Sequence, residues 1–121
     1  MEITKEHELT PRGDCILAVR SEKSARDLSE EFKKLARDRR AVITLEVRSG
    51  DLVFVLRGSG DPRLSFDDPT SLVFRKSAYV DRRTVAVRCD KAAADVPREL
   101  VSRLKRREEV LITLSGEVPD D

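Results

Sequence analysis

Apolar residues recur along this chain at two different periods. Leu28, Phe32, Leu35 and Ala36 fall at i, i+4, i+7 and i+8, and Val96, Leu100 and Leu104 fall at i, i+4 and i+8. Each set forms one apolar stripe at helical spacing, so two amphipathic helices are predicted. Shorter β-rich runs at Cys15–Arg20, Ala41–Val47, Leu52–Arg57, Ser71–Arg75, Thr84–Arg88 and Val110–Leu114 read as strands. Turn-forming residues separate them at Pro11-Arg12-Gly13-Asp14, Ser49-Gly50, Gly58–Pro62 and Asp67-Asp68-Pro69, with a short Arg63–Phe66 segment between the last two. Asp27 and Asp95 stand just before the helical stripes, where a carboxylate accepts unpaired backbone N–H groups, and Ser29 is a rival cap for the first helix. Pro97 suits a first helical turn, where its missing N–H costs nothing. Arg37, Arg39 and Arg40, then Arg103, Lys105, Arg106 and Arg107, crowd the opposite ends and complement the helix dipoles.

The pattern occurs twice. With Ala18–Lys34 set over Ala86–Ser102, the identities are Ala18/Ala86, Val19/Val87, Arg20/Arg88, Lys23/Lys91, Ala25/Ala93, Asp27/Asp95 and Glu31/Glu99. One extra residue in the second copy, Arg103, brings Leu35/Leu104, Arg37/Arg106, Ile43/Ile112, Thr44/Thr113 and Leu45/Leu114 into line. Extended backward, the repeat equates Ile3–Leu9 with Val73–Tyr79, and Pro11–Asp14 with Val80–Arg83. The expectation is one domain over residues 1–121, with repeat 1 at about 1–50 and repeat 2 at about 51–117. Repeat 2 carries residues 51–70 ahead of its counterpart of Met1, and repeat 1 carries nothing there. Either the duplication was trimmed, or the chain begins inside its own domain, and in the second case a bare sheet edge invites pairing with another chain, as in a homodimer.

Composition narrows the function classes. Of 121 residues 39% are charged, but 24 basic side chains face 23 acidic ones, for a net charge of +1. That balance argues against a strongly electrostatic nucleic-acid binder and leaves room for a local basic patch. Aromatic residues are only 4%, so base-stacking platforms are few. No apolar run reaches the roughly 18 residues of a membrane span, and the start lacks the apolar core of a secretory signal. The two cysteines, Cys15 and Cys89, fit no metal or disulfide motif and read as reduced thiols, which points to the cytoplasm.

Candidate chemistry gathers at two places. In each copy an Arg ends a strand, a Lys lies in the following loop and an Asp opens the helix: Arg20, Lys23 and Asp27, then Arg88, Lys91 and Asp95. Loops that run into helix N-termini are common anion sites. The bland alternative is a helix cap with surface ion pairs. The turn Thr10–Cys15 concentrates functional groups: Asp14 as a general base, Cys15 or Thr10 as a nucleophile and Arg12 to hold an anion. Its bland alternative is a β-turn with the Asp bonded to its own backbone. His7 is the sole histidine, too little for a zinc site. Asp67-Asp68 is a weak Mg²⁺ candidate, and no phosphate-loop or dinucleotide fingerprint is present. No metal or cofactor is therefore expected.

Several strings carry a resemblance. They are Glu2-Ile3-Thr4-Lys5, Glu8–Ile16 with its Thr-Pro-Arg-Gly-Asp-Cys turn, Pro69-Thr70, Arg75-Lys76-Ser77 with Tyr79-Val80, Arg88–Ala93 and Asp95–Leu100. Together they make the chain similar, over nearly its whole length, to a small archaeal family of uncharacterised proteins, domain of unknown function 371. The resemblance implies a β-rich, sandwich-like fold with few helices and carries no activity over. It also implies a leading segment with Gly-His-Pro and Thr-His, which this chain lacks.

The expected fold is thus α+β: a mostly antiparallel β-sandwich or partly closed barrel with two amphipathic helices, duplicated about a pseudo-two-fold. The expected function is a non-catalytic binding module for an anionic ligand, RNA or a nucleotide-like phosphate, held by Arg20, Lys23, Arg88, Lys91, Arg12 and Asp14. The competing readings are a small enzyme with its site at the Thr10–Cys15 turn, and a subunit of a protein complex.

Overall fold

The computed structural model describes residues 2–4, 16–18, 28–68, 71–105 and 111–119. Along the chain lie β1 (Glu2–Thr4), β2 (Ile16–Ala18), α1 (Glu30–Ala36), β3 (Val42–Ser49), β4 (Leu52–Ser59), β5 (Ser71–Phe74), β6 (Thr84–Ala86), α2 (Arg98–Lys105) and β7 (Leu111–Glu117). A 3₁₀ turn, Ala93–Asp95, precedes α2.

The period-two alternation of β3 and β4 sets one sheet. Antiparallel pairing aligns Ile43, Leu45 and Val47 with Gly58, Leu56 and Phe54 on one side and with Gly116, Leu114 and Ile112 of β7 on the other. All of these side chains lie on one face, because successive residues of a strand alternate faces. Val42, Thr44, Glu46 and Arg48 take the opposite, wetter face, where Arg48 pairs with Glu46 at 2.9 Å. The β3–β4 connection is the predicted turn at Ser49-Gly50: Ser49 pairs with Leu52, and Gly50 holds φ at 59°, as a two-residue hairpin loop requires of its first position. Arg103 of α2 clasps this hairpin, donating from Nη1 to the Ser49 carbonyl at 2.7 Å and lying 3.7 Å from Asp51.

The second sheet has the order β2-β1-β5-β6. Its centre is antiparallel, with Glu2 opposite Val73 and Ile3 opposite Leu72. Its outer pairs, β1–β2 and β5–β6, are parallel, each with one break in register. Leu72, Val73 and Phe74, like Val85, Ala86 and Val87, are buried consecutively, as strands covered on both faces are. A lone antiparallel bridge between Ser59 and Val87 ties the two sheets together.

One apolar cluster draws on both sheets, on Ala36 of α1 and on Leu100 of α2. The irregular stretch 61–68 seals it by burying Leu64 and Phe66. Phe66 adopts φ 54°, a left-handed conformation rare for a bulky residue, which turns its ring edge-on to Phe32 at 6.3 Å and under Arg37 at 5.4 Å.

The fold is a mixture of helix and strand with antiparallel sheet and two helices, as the periodicities require. Among the described residues the strands form no closed barrel: they make the sheets β4-β3-β7 and β2-β1-β5-β6, joined by the Ser59–Val87 bridge. The capping expectation divides. Ser29, not Asp27, caps α1, its Oγ accepting from the Phe32 N–H at 3.1 Å; Asp27 lies outside the described residues. Asp95 does not cap α2. Its carboxylate accepts from the Ala92 N–H at 2.8 Å and closes the 3₁₀ turn, and the Pro97 carbonyl accepts from Val101 to begin the helix.

Candidate functional site

Strand β6 continues into the segment 87–91, which is stitched on both sides. Val87 exchanges two backbone hydrogen bonds with Ser59, at 2.7 and 2.9 Å. The next two N–H groups face the other way: Arg88 donates to the Ser77 carbonyl and Cys89 to the Arg75 carbonyl, both at 2.9 Å. Asp90 then returns to β4, its N–H donating to the Arg57 carbonyl at 2.9 Å while its carboxylate accepts from the Arg57 N–H at 2.9 Å. The reversal is achieved at Arg88, whose φ is 51°. A non-glycine residue in the left-handed region costs about 1 kcal/mol, so packing on both sides holds it there.

The loop that receives Arg88 runs from Arg75 to Arg83. At its base Arg75 donates to Asp81 at 2.8 Å and to the Thr84 hydroxyl at 3.0 Å, and the Thr84 hydroxyl in turn donates to Asp81 at 3.0 Å. Arg83 adds a 3.1 Å contact to the same carboxylate. Burial pushes the Asp81 carboxyl up, but hydrogen bonds from Arg83 and Thr84 and the charge of Arg75 outweigh it and hold the group below its ordinary range. Arg75 also lies 4.8 Å from the centre of the Tyr79 ring, which is 61% exposed. Lys76, Ser77, Tyr79 and Arg88 are all exposed, on two segments bonded to one another. Among the described residues no carboxylate pairs with Arg88 or Lys76.

Arg63 fixes the far side of the loop. It donates to the Ala78 carbonyl at 2.8 Å and grips Asp61 with two contacts, at 2.9 and 3.1 Å. Asp61 is buried, and hydrogen bonding from Arg63, against the cost of burial, lowers its pKa to about 2. An unfolded carboxyl titrates near 3.8, so the native state binds its proton later than the unfolded state does. The resulting stability is full above that value and is lost as pH falls from about 3.8 through about 2. Allowing for the solvent around Arg63, the loss is about 1–2 kcal/mol. Urea unfolding between pH 6 and pH 2 should show this drop in the native chain and a correspondingly shallower one in Asp61→Asn.

The residues singled out from sequence fare differently. Arg88 is exposed beside the 75–83 loop. Lys91 is half-buried and engaged: its ammonium donates to the Val55 carbonyl at 2.7 Å and sits 5.4 Å from the Phe54 ring, holding the edge of β4. Arg12, Asp14, Arg20, Lys23, His7 and the whole Thr10–Cys15 turn lie outside the described residues. Asp68 is turned to structural use, 3.4 Å from Arg82, and Asp67 accepts from Ser65 at 3.3 Å. Among the described residues no group of His, Cys, Asp and Glu is placed to hold a metal ion. Cys89 is buried and its thiol is pushed up to about 11 by desolvation, so it is neutral near pH 7 and a poor nucleophile. The Arg75–Asp81–Thr84 clasp escaped the sequence reading. Its one sequence signal is the string Arg75-Lys76-Ser77 with Tyr79-Val80.

No helix among the described residues is long and apolar enough to cross a membrane. Residues 1–117 match the family model described as a domain of unknown function (DUF371). An uncharacterized protein of Methanocaldococcus jannaschii is 38% identical over 114 residues, a stretch covering 94% of this chain and 84% of that protein.

Proposed function

The chain belongs to the family described as a domain of unknown function (DUF371), and from its geometry we propose that it is a non-catalytic binding module for a phosphate-bearing anion, the backbone of RNA or a nucleotide. The site is the surface made by Arg88 and the Arg75–Tyr79 part of the neighbouring loop. The observation that carries the reading is the placement of Arg88, exposed and held at φ 51° by bonds to both neighbours. A guanidinium held on a fixed backbone is suited to forked recognition of phosphate oxygens. Lys76 adds a second cation, and Tyr79, buttressed by Arg75, offers a ring face on which a base can stack.

The reading treats the chain as two copies of one unit about a pseudo-two-fold, in a single sandwich-like domain. Two features support this. The ladder pairs Glu2–Val73 and Ile3–Leu72 exchange with each other under the repeat, and Leu45 pairs with its own counterpart, Leu114. By the sequence repeat Arg20 corresponds to Arg88, and Arg20, Arg12 and Asp14 are proposed as ligands of the same class of anion. Lys23 corresponds in the repeat to Lys91, whose ammonium is taken by the Val55 carbonyl.

Fluorescence anisotropy with an end-labelled oligoribonucleotide tests the proposal, with inorganic phosphate and a nucleoside triphosphate as competitors. Affinity should fall with salt. Arg88→Ala should weaken binding about tenfold or more and reduce the salt slope by about one. Arg88→Gly should weaken it equally while raising the melting temperature, because glycine relieves the left-handed backbone. Equal affinity for the native chain and Arg88→Ala would sink the assignment.

A further inference from the structure

We propose that the surface around Arg88 takes an unpaired nucleobase together with its phosphate, the base stacked on Tyr79. Its ligand class is then single-stranded RNA or a free nucleotide, rather than duplex RNA or inorganic phosphate. The inference rests on the anion site proposed above and narrows what that site accepts.

The chain has four Phe, one Tyr and no Trp. Phe54, Phe66 and Phe74 are buried, and Phe32 packs against the same core. Of these rings only that of Tyr79 belongs to a largely exposed residue, at 61%. A single apolar side chain in water is ordinary; what distinguishes this one is how it is held. The Arg75 and Ser77 carbonyls accept from Cys89 and Arg88, both at 2.9 Å, and the Ala78 carbonyl accepts from Arg63 at 2.8 Å. The backbone that carries Tyr79 is therefore pinned at three of the four residues before it. The Arg75 guanidinium lies over the ring, 4.8 Å from its centre, and is itself fixed by Asp81 at 2.8 Å and Thr84 at 3.0 Å. A cation so placed holds the ring by its π face. Tyr79 is thus a rigid platform, with one face against a fixed cation and most of the residue in water.

One platform takes one base. Inside a duplex each base is stacked on both sides and cannot offer a face, whereas a base in a single strand or a free nucleotide can. Ser77 brings the platform to the cation: its carbonyl accepts from the Arg88 N–H at 2.9 Å, and its hydroxyl accepts from the Tyr79 N–H at 3.3 Å. A nucleotide can therefore place its phosphate on Arg88 and its base on Tyr79 together. Inorganic phosphate or a duplex would meet only the cations, Arg88 and Lys76.

Because the chain has one Tyr and no Trp, its tyrosine fluorescence, excited beyond the phenylalanine absorption, reports on Tyr79 alone. A single-stranded oligoribonucleotide or a nucleoside triphosphate should quench this emission, and whichever does so at lower concentration identifies the source of the base. The same strand annealed to its complement, and inorganic phosphate, should leave the emission unchanged. In anisotropy titrations with the labelled single strand, Tyr79→Leu should weaken binding about tenfold, the loss of one stacked base, while Tyr79→Phe keeps the ring and the affinity. Leucine still covers Arg75, so a loss there reports stacking rather than a disturbed loop. Equal quenching by the duplex, no quenching by either single-stranded ligand, or equal affinity for the native chain and Tyr79→Leu would overturn the inference. If Arg88→Ala still weakens binding in any of those cases, the anion site stands without the base. If Arg88→Ala binds as the native chain does, the anion site itself is lost.

Discussion

Gly60→Ala is expected to destabilise the fold by about 3–5 kcal/mol, among the largest effects of any single substitution. Gly60 joins the end of β4 to the buried 61–68 stretch and passes directly under the C-terminus of α1. A methyl group built on it would collide with the carbonyl oxygens of Ala36 and Asp38. Neither can swing aside, because Ala36 accepts from the Asp61 N–H at 3.0 Å and Asp38 accepts from the Ala41 N–H at 3.0 Å. The Gly60 N–H is itself committed to the Ala41 carbonyl at 3.1 Å. The collision is therefore with backbone that has no alternative partner. Thermal unfolding followed by circular dichroism should show a drop of about 10–20 °C. A shift of only a few degrees would mean that the α1–β4 junction relaxes more easily than its hydrogen bonds allow.

Leu45→Ala should cost about 3–4 kcal/mol, and the same truncation at Leu114 only about 1–2. The two residues face each other across the β3–β7 ladder and occupy equivalent places in the sequence repeat. Leu45 is wholly enclosed between Leu56 and Leu114, so its removal leaves a cavity lined by side chains that cannot collapse. Leu114 already borders solvent, so water replaces much of what it loses. Urea unfolding of both variants at one pH measures the difference directly. Equal costs would mean that Leu114 is as well covered as Leu45.

Much of the fold follows from local pattern. The stripe through Phe32 and Ala36 becomes α1, Leu100 anchors α2, and Ser49-Gly50 makes the hairpin between the two longest strands. These features are legible because periodicity and turn chemistry act within a few residues. What escaped depends on partners far along the chain. Lys91 reads as a ligand-binding cation until Val55 is placed beside it, 36 positions away. Arg103 reads as a helix-dipole partner, yet it is the hydrogen-bond donor that holds the Ser49 end of the hairpin. Asp95 matches the capping pattern, but the 3₁₀ turn before α2 takes its carboxylate first. The left-handed backbone at Arg88 and Phe66 has no sequence signal, since neither residue type favours it and only packing on both sides enforces it. The candidate site was accordingly half legible. Arg88 stood out because it is repeated, whereas the Arg75–Asp81–Thr84 clasp that shapes the loop beside it did not.

The most direct measurement is a two-dimensional amide NMR titration of the isotopically labelled chain with a short oligoribonucleotide at low salt. The binding-module account predicts progressive shifts at Arg75, Lys76, Ser77, Tyr79 and Arg88, reversed by added salt and lost at these amides in Arg88→Ala. Shifts elsewhere with these amides unmoved, or no shifts at all at saturating oligonucleotide, would contradict it.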